Sequence, residues 1–198
     1  MKSLVFFVLG VLASLGSAQV IMKLEKGLEH PLLDSSKAFW TLKNDKTERP
    51  GVGETESEVV FEKDKVFMRG LLASLPSNGP HRVGFSLIET AITQPLQRSE
   101  GIVFEMSGTE KLWVSVLVKD RQAHTTQGTL TFQWDFEVTE ETQKFVAFWK
   151  DFVPTIRGKK VSGYELDLFS ITHLSFQVSR SKQQKWQNEV PLPFEIEL

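Results

Sequence analysis

The chain has 198 residues, 40% of them hydrophobic and 24% charged, with a formal net charge of −2. This composition excludes a disordered chain and a multispan membrane protein, and the near-neutral charge supplies no field to draw in nucleic acid. Cysteine is absent, which excludes disulfides, thiolate metal sites and a cysteine nucleophile, so the core alone has to hold the fold.

The chain opens with MKSLVFFVLGVLASLGSAQ. Lys2, an apolar run from Leu4 to Leu15 and the small residues Gly16, Ser17 and Ala18 read as a cleaved secretory signal peptide over residues 1–18, with Gln19 as the mature N-terminus. The run is short for a bilayer span, which takes about 20 apolar residues, and it lacks the arginines of a mitochondrial transit peptide. An uncleaved membrane anchor is the other reading. Residues 19–38 follow as an N-terminal arm. In VIMKLEKGLEHPLL, Ile21, Leu24 and Leu28 share one side, which suggests a helix or an irregular arm that Pro31 stops. Residues 39–198 then read as one domain. Its polar, glycine-rich stretch NDKTERPGVGETESE is a long loop.

Beyond the loop the dominant period is two. Glu58–Phe61 and Val66–Leu72 read as strands. RVGFSLIET offers Val83, Phe85 and Leu87 to one face, and GIVFEM offers Ile102, Phe104 and Met106. In KLWVSVLVKD, Leu112, Val114, Val116 and Val118 oppose Trp113, Ser115, Leu117 and Lys119. GTLTFQWDFEV sets Leu130, Phe132, Trp134, Phe136 and Val138 against Thr129, Thr131, Gln133, Asp135 and Glu137. KFVAFW, THLSFQVS and PFEIEL repeat the pattern. About nine short strands, with no helical pattern between them, predict an all-β fold. Two antiparallel sheets must face each other to bury their apolar sides, as in a β-sandwich or jelly roll.

The stretch FVAFWKDFVPTIRGKKVSGYELDLFSITHLSFQV interrupts this pattern. Pro154 has no backbone N–H, so regular pairing is expected to stop near it. Arg157-Gly158 forms a turn. The chain then crosses over and re-enters a sheet at Ile171–Val178, as Greek-key topologies require.

The ordered series Trp40, Asn44-Asp45, the loop RPGVGETES, Phe67-Met68-Arg69-Gly70, Gly84-Phe85, Gly101-Ile102, Phe152, Pro154, Arg157-Gly158, Leu166-Asp167, Ile171 and Leu192-Pro193-Phe194-Glu195-Ile196 resembles the complex I intermediate-associated protein 30 family. The likeness runs from about Trp40 to the C-terminus. GVGETES stands where the family has a Met-Gly-Gly-Val-Ser loop, and Leu192 stands where it has a glycine. The resemblance implies a galactose-binding-like jelly roll with no catalytic role. It also implies protein partners among the membrane-complex intermediates of respiratory complex I assembly, and hence a mitochondrial location. The leader instead implies the secretory pathway or the exterior.

No residues line up for catalysis, a metal or a cofactor. The four histidines lack the i, i+2 or i, i+4 spacing of metal ligands, and no Gly-x-Ser-x-Gly elbow or phosphate loop occurs. Asp135 and Glu137 share a strand face, which reads as a solvated acidic face rather than a glycosidase pair. Trp113 and Leu117 lie opposite the apolar face of their strand. There Trp113 would stack on a sugar or on a partner's apolar side chain, unless the arm covers that face. Arg157 would hold a carboxylate through a two-pronged contact, inside the crossover or on a ligand. Trp40, Trp134, Trp149 and Trp186 read as core. Trp113, Leu117, Arg157 and Asp135 are therefore the candidate partner- or ligand-binding residues. The function read from the sequence is a non-enzymatic, chaperone-like protein-binding or assembly module. The alternative is a secreted carbohydrate-binding jelly roll whose partner is a glycan.

Overall fold

Leu130, Phe132 and Phe136 turn into the core at 0–5% exposure, while Thr131, Asp135 and Glu137 between them stay partly or fully exposed. Alternation of this kind builds the whole molecule. The computed structural model describes residues 19–24, 28–34, 38–48, 54–63, 65–73, 84–126, 130–183 and 191–198. The expected signal peptide, Val83, Gly51–Gly53 and Trp186 lie outside the described residues.

Among the described residues the strands are β1 (Gln19–Leu24), β2 (Glu29–Asp34), β3 (Thr41–Asn44), β4 (Glu56–Glu62), β5 (Lys65–Leu72), β6 (Phe85–Ala91), β7 (Ser99–Gly108), β8 (Leu112–Lys119), β9 (Leu130–Val138), β10 (Gln143–Phe148), β11 (Val153–Ile156), β12 (Lys159–Lys160), β13 (His173–Ser179) and β14 (Leu192–Glu197). Two short helices, α1 (Asp45–Glu48) and α2 (Arg121–Thr125), lie between them. The first sheet has the order β2-β1-β7-β14-β5-β4, with β10 also on β7; the second has the order β12-β11-β9-β8-β13-β6-β3. Every pairing is antiparallel. The all-β sandwich of two antiparallel sheets expected from the sequence is thus the observed fold.

The sheets close on an aromatic cluster. Phe104 of β7 lies 5.3 Å from Phe136 and 5.1 Å from Phe176 of the opposite sheet, both edge-on, and stacks on Phe145 at 5.6 Å. Offset and edge-to-face contacts of this kind add about 0.5–1.5 kcal/mol each beyond area burial. Trp40 and Trp149 are buried in the same core, with the Trp149 indole N–H donating to Ser99 Oγ at 2.9 Å. Trp134 is half-buried against Phe136.

Two expectations are corrected. The segment after Gln19 is neither a helix nor an irregular arm: it forms β1 and β2. Val20 and Met22 alternate into the core, and β1 pairs with both β2 and β7. The helix-like spacing of Ile21, Leu24 and Leu28 yields to that pairing. Pro31 does not stop an element. It sits in β2 opposite Ile21, where the register slips by one residue, and a bulge in an edge strand tolerates a missing N–H.

Pro154 likewise does not end the pairing. It lies inside β11, opposite Phe132 of β9. Its carbonyl accepts from Val161 N–H at 3.0 Å on the β12 side. A residue's N–H and C=O point to the same side of a strand, so the missing donor faces the short outer strand and not β9. Arg157 and Gly158 close the β11–β12 hairpin with φ of 51° and 74°, the left-handed pair that a two-residue hairpin turn requires.

Residues 161–172 then cross the end of the second sheet and are pinned there by hydrogen bonds. Asp120 caps α2 by accepting from Ala123 N–H at 3.2 Å, and its other oxygen accepts from Asp167 N–H at 3.1 Å. Gln122 donates to Glu165 O at 2.9 Å, and Thr172 N–H donates to Lys119 O at 2.7 Å. The crossover therefore delivers β13 between β8 and β6.

Candidate binding face

The outer face of the second sheet is set by register. Gln133, Leu117, Ser175, Glu89 and Thr41 form one row across β9, β8, β13, β6 and β3. Asp135, Ser115, Gln177, Leu87 and Lys43 form the next. Trp113 stands opposite Glu137 at one end, and Lys119, His173 and Ala91 form a row towards the other. Side chains on an outer face are normally wet, yet Ser175, Ser115, Glu89 and Leu117 are buried here at 0%, 3%, 6% and 6% exposure. The face is recessed, with a polar floor.

Two charge networks occupy it. Glu89 lies between two lysines: Oε1 accepts from Lys43 at 2.5 Å, and Oε2 accepts from Lys119 and from Ser175 Oγ at 3.2 Å. Burial pushes the Glu89 carboxyl up, but the bonds from Lys119 and Lys43 outweigh it and bring it down to about 2. In the second network Asp135 Oδ1 accepts from Ser115 Oγ and Gln133 Nε2, both at 2.6 Å, and Oδ2 accepts from Lys182 at 2.7 Å. Burial raises this carboxyl as well, and Lys182, Ser115 and Gln133 together hold it below its ordinary value. Glu137, beside it on the strand, pairs with Lys111 at 2.8 Å.

The expected residues divide. Trp113, Leu117 and Asp135 come together on this face, whereas Arg157 is exposed at the tip of the β11–β12 hairpin. Trp113 is half-buried. The Gln183 side chain replaces a strand partner for its peptide group, accepting from Trp113 N–H at 3.0 Å and donating to Trp113 O at 2.8 Å. β1 and β2 belong to the other sheet, and the N-terminal segment reaches this face at its Glu89, Ala91 and His173 end, through Leu32, Leu33 and Ala38. Glu89, Lys43 and Gln183 escaped the sequence reading, since no local spacing joins residues 46 and 70 positions apart. The outward alternation of Lys119 with Ser115 and Trp113 was the one signal available.

At the end of the face where β3 begins, a cavity of about 350 Å³ opens over Thr41, Glu89, Ala91 and His173, with Leu32 and Leu33 of β2 on its far wall. Among the described residues no three histidine, aspartate or glutamate side chains gather as metal ligands, and no helix is long and apolar enough to cross a membrane.

A family model described as complex I intermediate-associated protein 30 (CIA30) matches residues 31–198. No curated protein sequence matches the chain. Among solved structures the chain is similar to a family 11 carbohydrate-binding module from Clostridium thermocellum, in complex with a β-1,3-1,4-mixed-linked tetrasaccharide. Identity is 12% and the TM-score 0.52, over 92% of this chain and 96% of that one. It is also similar to the family 11 carbohydrate-binding module of the cellulosomal cellulase Lic26A-Cel5E of Clostridium thermocellum, with 12% identity and a TM-score of 0.48, over 80% of this chain and 86% of that one. At 12% identity the first likeness is one of fold, a jelly-roll sandwich.

Proposed function

Because the chain belongs to the complex I intermediate-associated protein 30 family, we propose that it is a non-catalytic module that holds a protein partner on the outer face of its second sheet, in the assembly of respiratory complex I. The observation that carries this reading is the state of the face's carboxylates. Glu89 is clamped by two lysines and brought down to about 2, and Asp135 is held low by Lys182, Ser115 and Gln133. A general acid or base works best with a pKa near the operating pH. Carboxylates fixed this firmly in their charged form suit recognition and not proton transfer. A recessed floor of paired charges and hydroxyls also presents complementary donors and acceptors without a large net field.

Affinity capture with the wild-type chain and with Gln177→Arg, which puts a cation in the middle of the face, tests this. Recovery of complex I intermediates by the wild type and not by the variant supports the reading. Equal recovery removes the face from it. Location belongs to the same test. A mature chain starting at Gln19 and exported from the cell contradicts a role in the mitochondrion.

A second reading follows from the floor itself. Gln177, half-buried in the middle of the face, is a neutral donor and acceptor, and Trp113 stands at one end as a stacking surface, a combination that suits sugar hydroxyls and the apolar face of a sugar ring. The Clostridium thermocellum module of the same fold holds a tetrasaccharide. In this reading the chain is a secreted carbohydrate-binding module. A glycan array that gives a signal with the wild type and none with Trp113→Ala favours it. No signal counts against it.

A further inference from the structure

The cavity at the β3 end of the face differs from the polar floor it joins. Leu32, Leu33, Ala38 and Phe39 give it an apolar lining, which Ala91 and His173 share. Phe39 is 85% exposed. A phenyl ring left this wet at the mouth of an apolar recess gains on being covered, because burying a Phe side chain contributes about 1.5–3 kcal/mol. A volume of about 350 Å³ admits one large side chain with its backbone and is small for a folded element.

The charges beside the cavity select what accompanies that side chain. The Glu89 side chain is 7% exposed, whereas those of Lys43 and Lys119, one on each of its oxygens, are 32% and 20% exposed. Glu89 lines the cavity and the two cations that flank it reach solvent, so these three groups together carry a net positive charge beside the cavity. An approaching cation meets both ammonium groups, and an approaching carboxylate shares them with Glu89.

Resting on the protein-partner reading above, we infer that this cavity is the anchor pocket of the interface. It takes one large apolar side chain from an extended segment of the partner protein, with a carboxylate next to it in that segment. The apolar anchor supplies affinity and the acidic neighbour supplies direction.

The test uses the full chain, isotope-labelled for NMR, and three capped hexapeptides: Gly-Ser-Asp-Phe-Ser-Gly, the same peptide with Lys for Asp, and the same with Ala for Phe. The first is expected to shift the amides of Ala91, Thr93 and His173. The Lys peptide should bind at least fivefold more weakly, and the Ala peptide should produce no shift. Ala91→Trp fills the cavity and should weaken the first peptide at least tenfold. Phe39→Ser, at an exposed position that the core does not use, should weaken it several-fold and guards against a folding defect in the first variant. Equal binding of the Asp and Lys peptides overturns the inference, as do shifts confined to another surface. A neutral glucan oligosaccharide that shifts these amides when the peptides do not also overturns it. In affinity capture, a partner retained by Ala91→Trp sinks the pocket and leaves the module standing, whereas no protein partner at all sinks both.

Discussion

Lys182 donates to Asp135 at 2.7 Å, closing the turn after β13 onto the rim of β9 across 47 residues of sequence. The bond fixes the last described residues before β14 against the binding face. About a third of each side chain remains exposed, so the pair contributes no more than about 1 kcal/mol, screened by salt.

Lys182→Met is therefore expected to lower stability by about 0.5–1 kcal/mol at low ionic strength, with most of the difference gone in 1 M salt. The Asp135 carboxyl lies below its ordinary value in the folded chain. Its contribution is thus present above the unfolded value of about 4 and is lost as pH falls through the lower folded value. Denaturant melts of wild type and variant should converge as the pH is taken below the ordinary aspartate range. A gap that stays constant down to pH 2 contradicts the assignment.

Glu89 gives the larger acid signature. Its folded pKa is about 2, against about 4.3 unfolded. Its stabilisation is complete above that unfolded value and drains away between about pH 4 and pH 2. Glu89→Gln, which leaves Lys43 and Lys119 without their shared anion, should cost about 3 kcal/mol at pH 7 and flatten the acid limb of the stability curve. A variant whose stability still falls as steeply as wild type between pH 4 and pH 2 would place the acid sensitivity elsewhere.

Gly70 is held to glycine by space. A Cβ there would stand 2.1 Å from Glu56 O and 2.7 Å from Ser57 Cα, both backbone atoms of the paired strand β4. Gly70→Ala should destabilise by about 3 kcal/mol or more, beyond the usual gain from removing a glycine. Chemical denaturation measures it, and a neutral or stabilising result would mean that β4 yields freely.

Phe104 is the ring that both sheets share. Phe104→Ala should cost about 3–5 kcal/mol by loss of burial and the cavity left among Phe136, Phe145 and Phe176. Phe104→Leu should cost clearly less, about 1–2 kcal/mol. Thermal and urea unfolding distinguish the two. Equal losses would mean that ring geometry and not volume holds the sheets together.

Most of the strands were legible because their signal is local. Leu112 to Val118 and Leu130 to Val138 alternate without a break, and a strand with one buried side admits only one orientation of its residues. The same alternation put Trp113 and Leu117 opposite the apolar side of their strand and Asp135 opposite the apolar side of its own; only the β8–β9 pairing joins them on one face. β1 and β2 were not legible as strands. The spacing of Ile21, Leu24 and Leu28 fits a helix as well, and only the edges of β7 and β2 decide between the two. Pro154 misled for a related reason. Its missing donor matters only on the side where a partner would use it, and which side that is depends on the hairpin around Arg157 and Gly158.

By itself the sequence determined that this chain folds as facing sheets without sulfur, which strands face inward, and, through the ordered series from Trp40 to Ile196, which family it belongs to. Tertiary structure decided the binding face. Glu89 meets Lys43 and Lys119 only because β6 lies between β3 and β13, and Gln183 completes Trp113 only because the chain turns back after β13. Alternation along a strand is written in neighbouring residues. The order of strands across a sheet is written in no local stretch, and it is that order which brings distant charges into one recess.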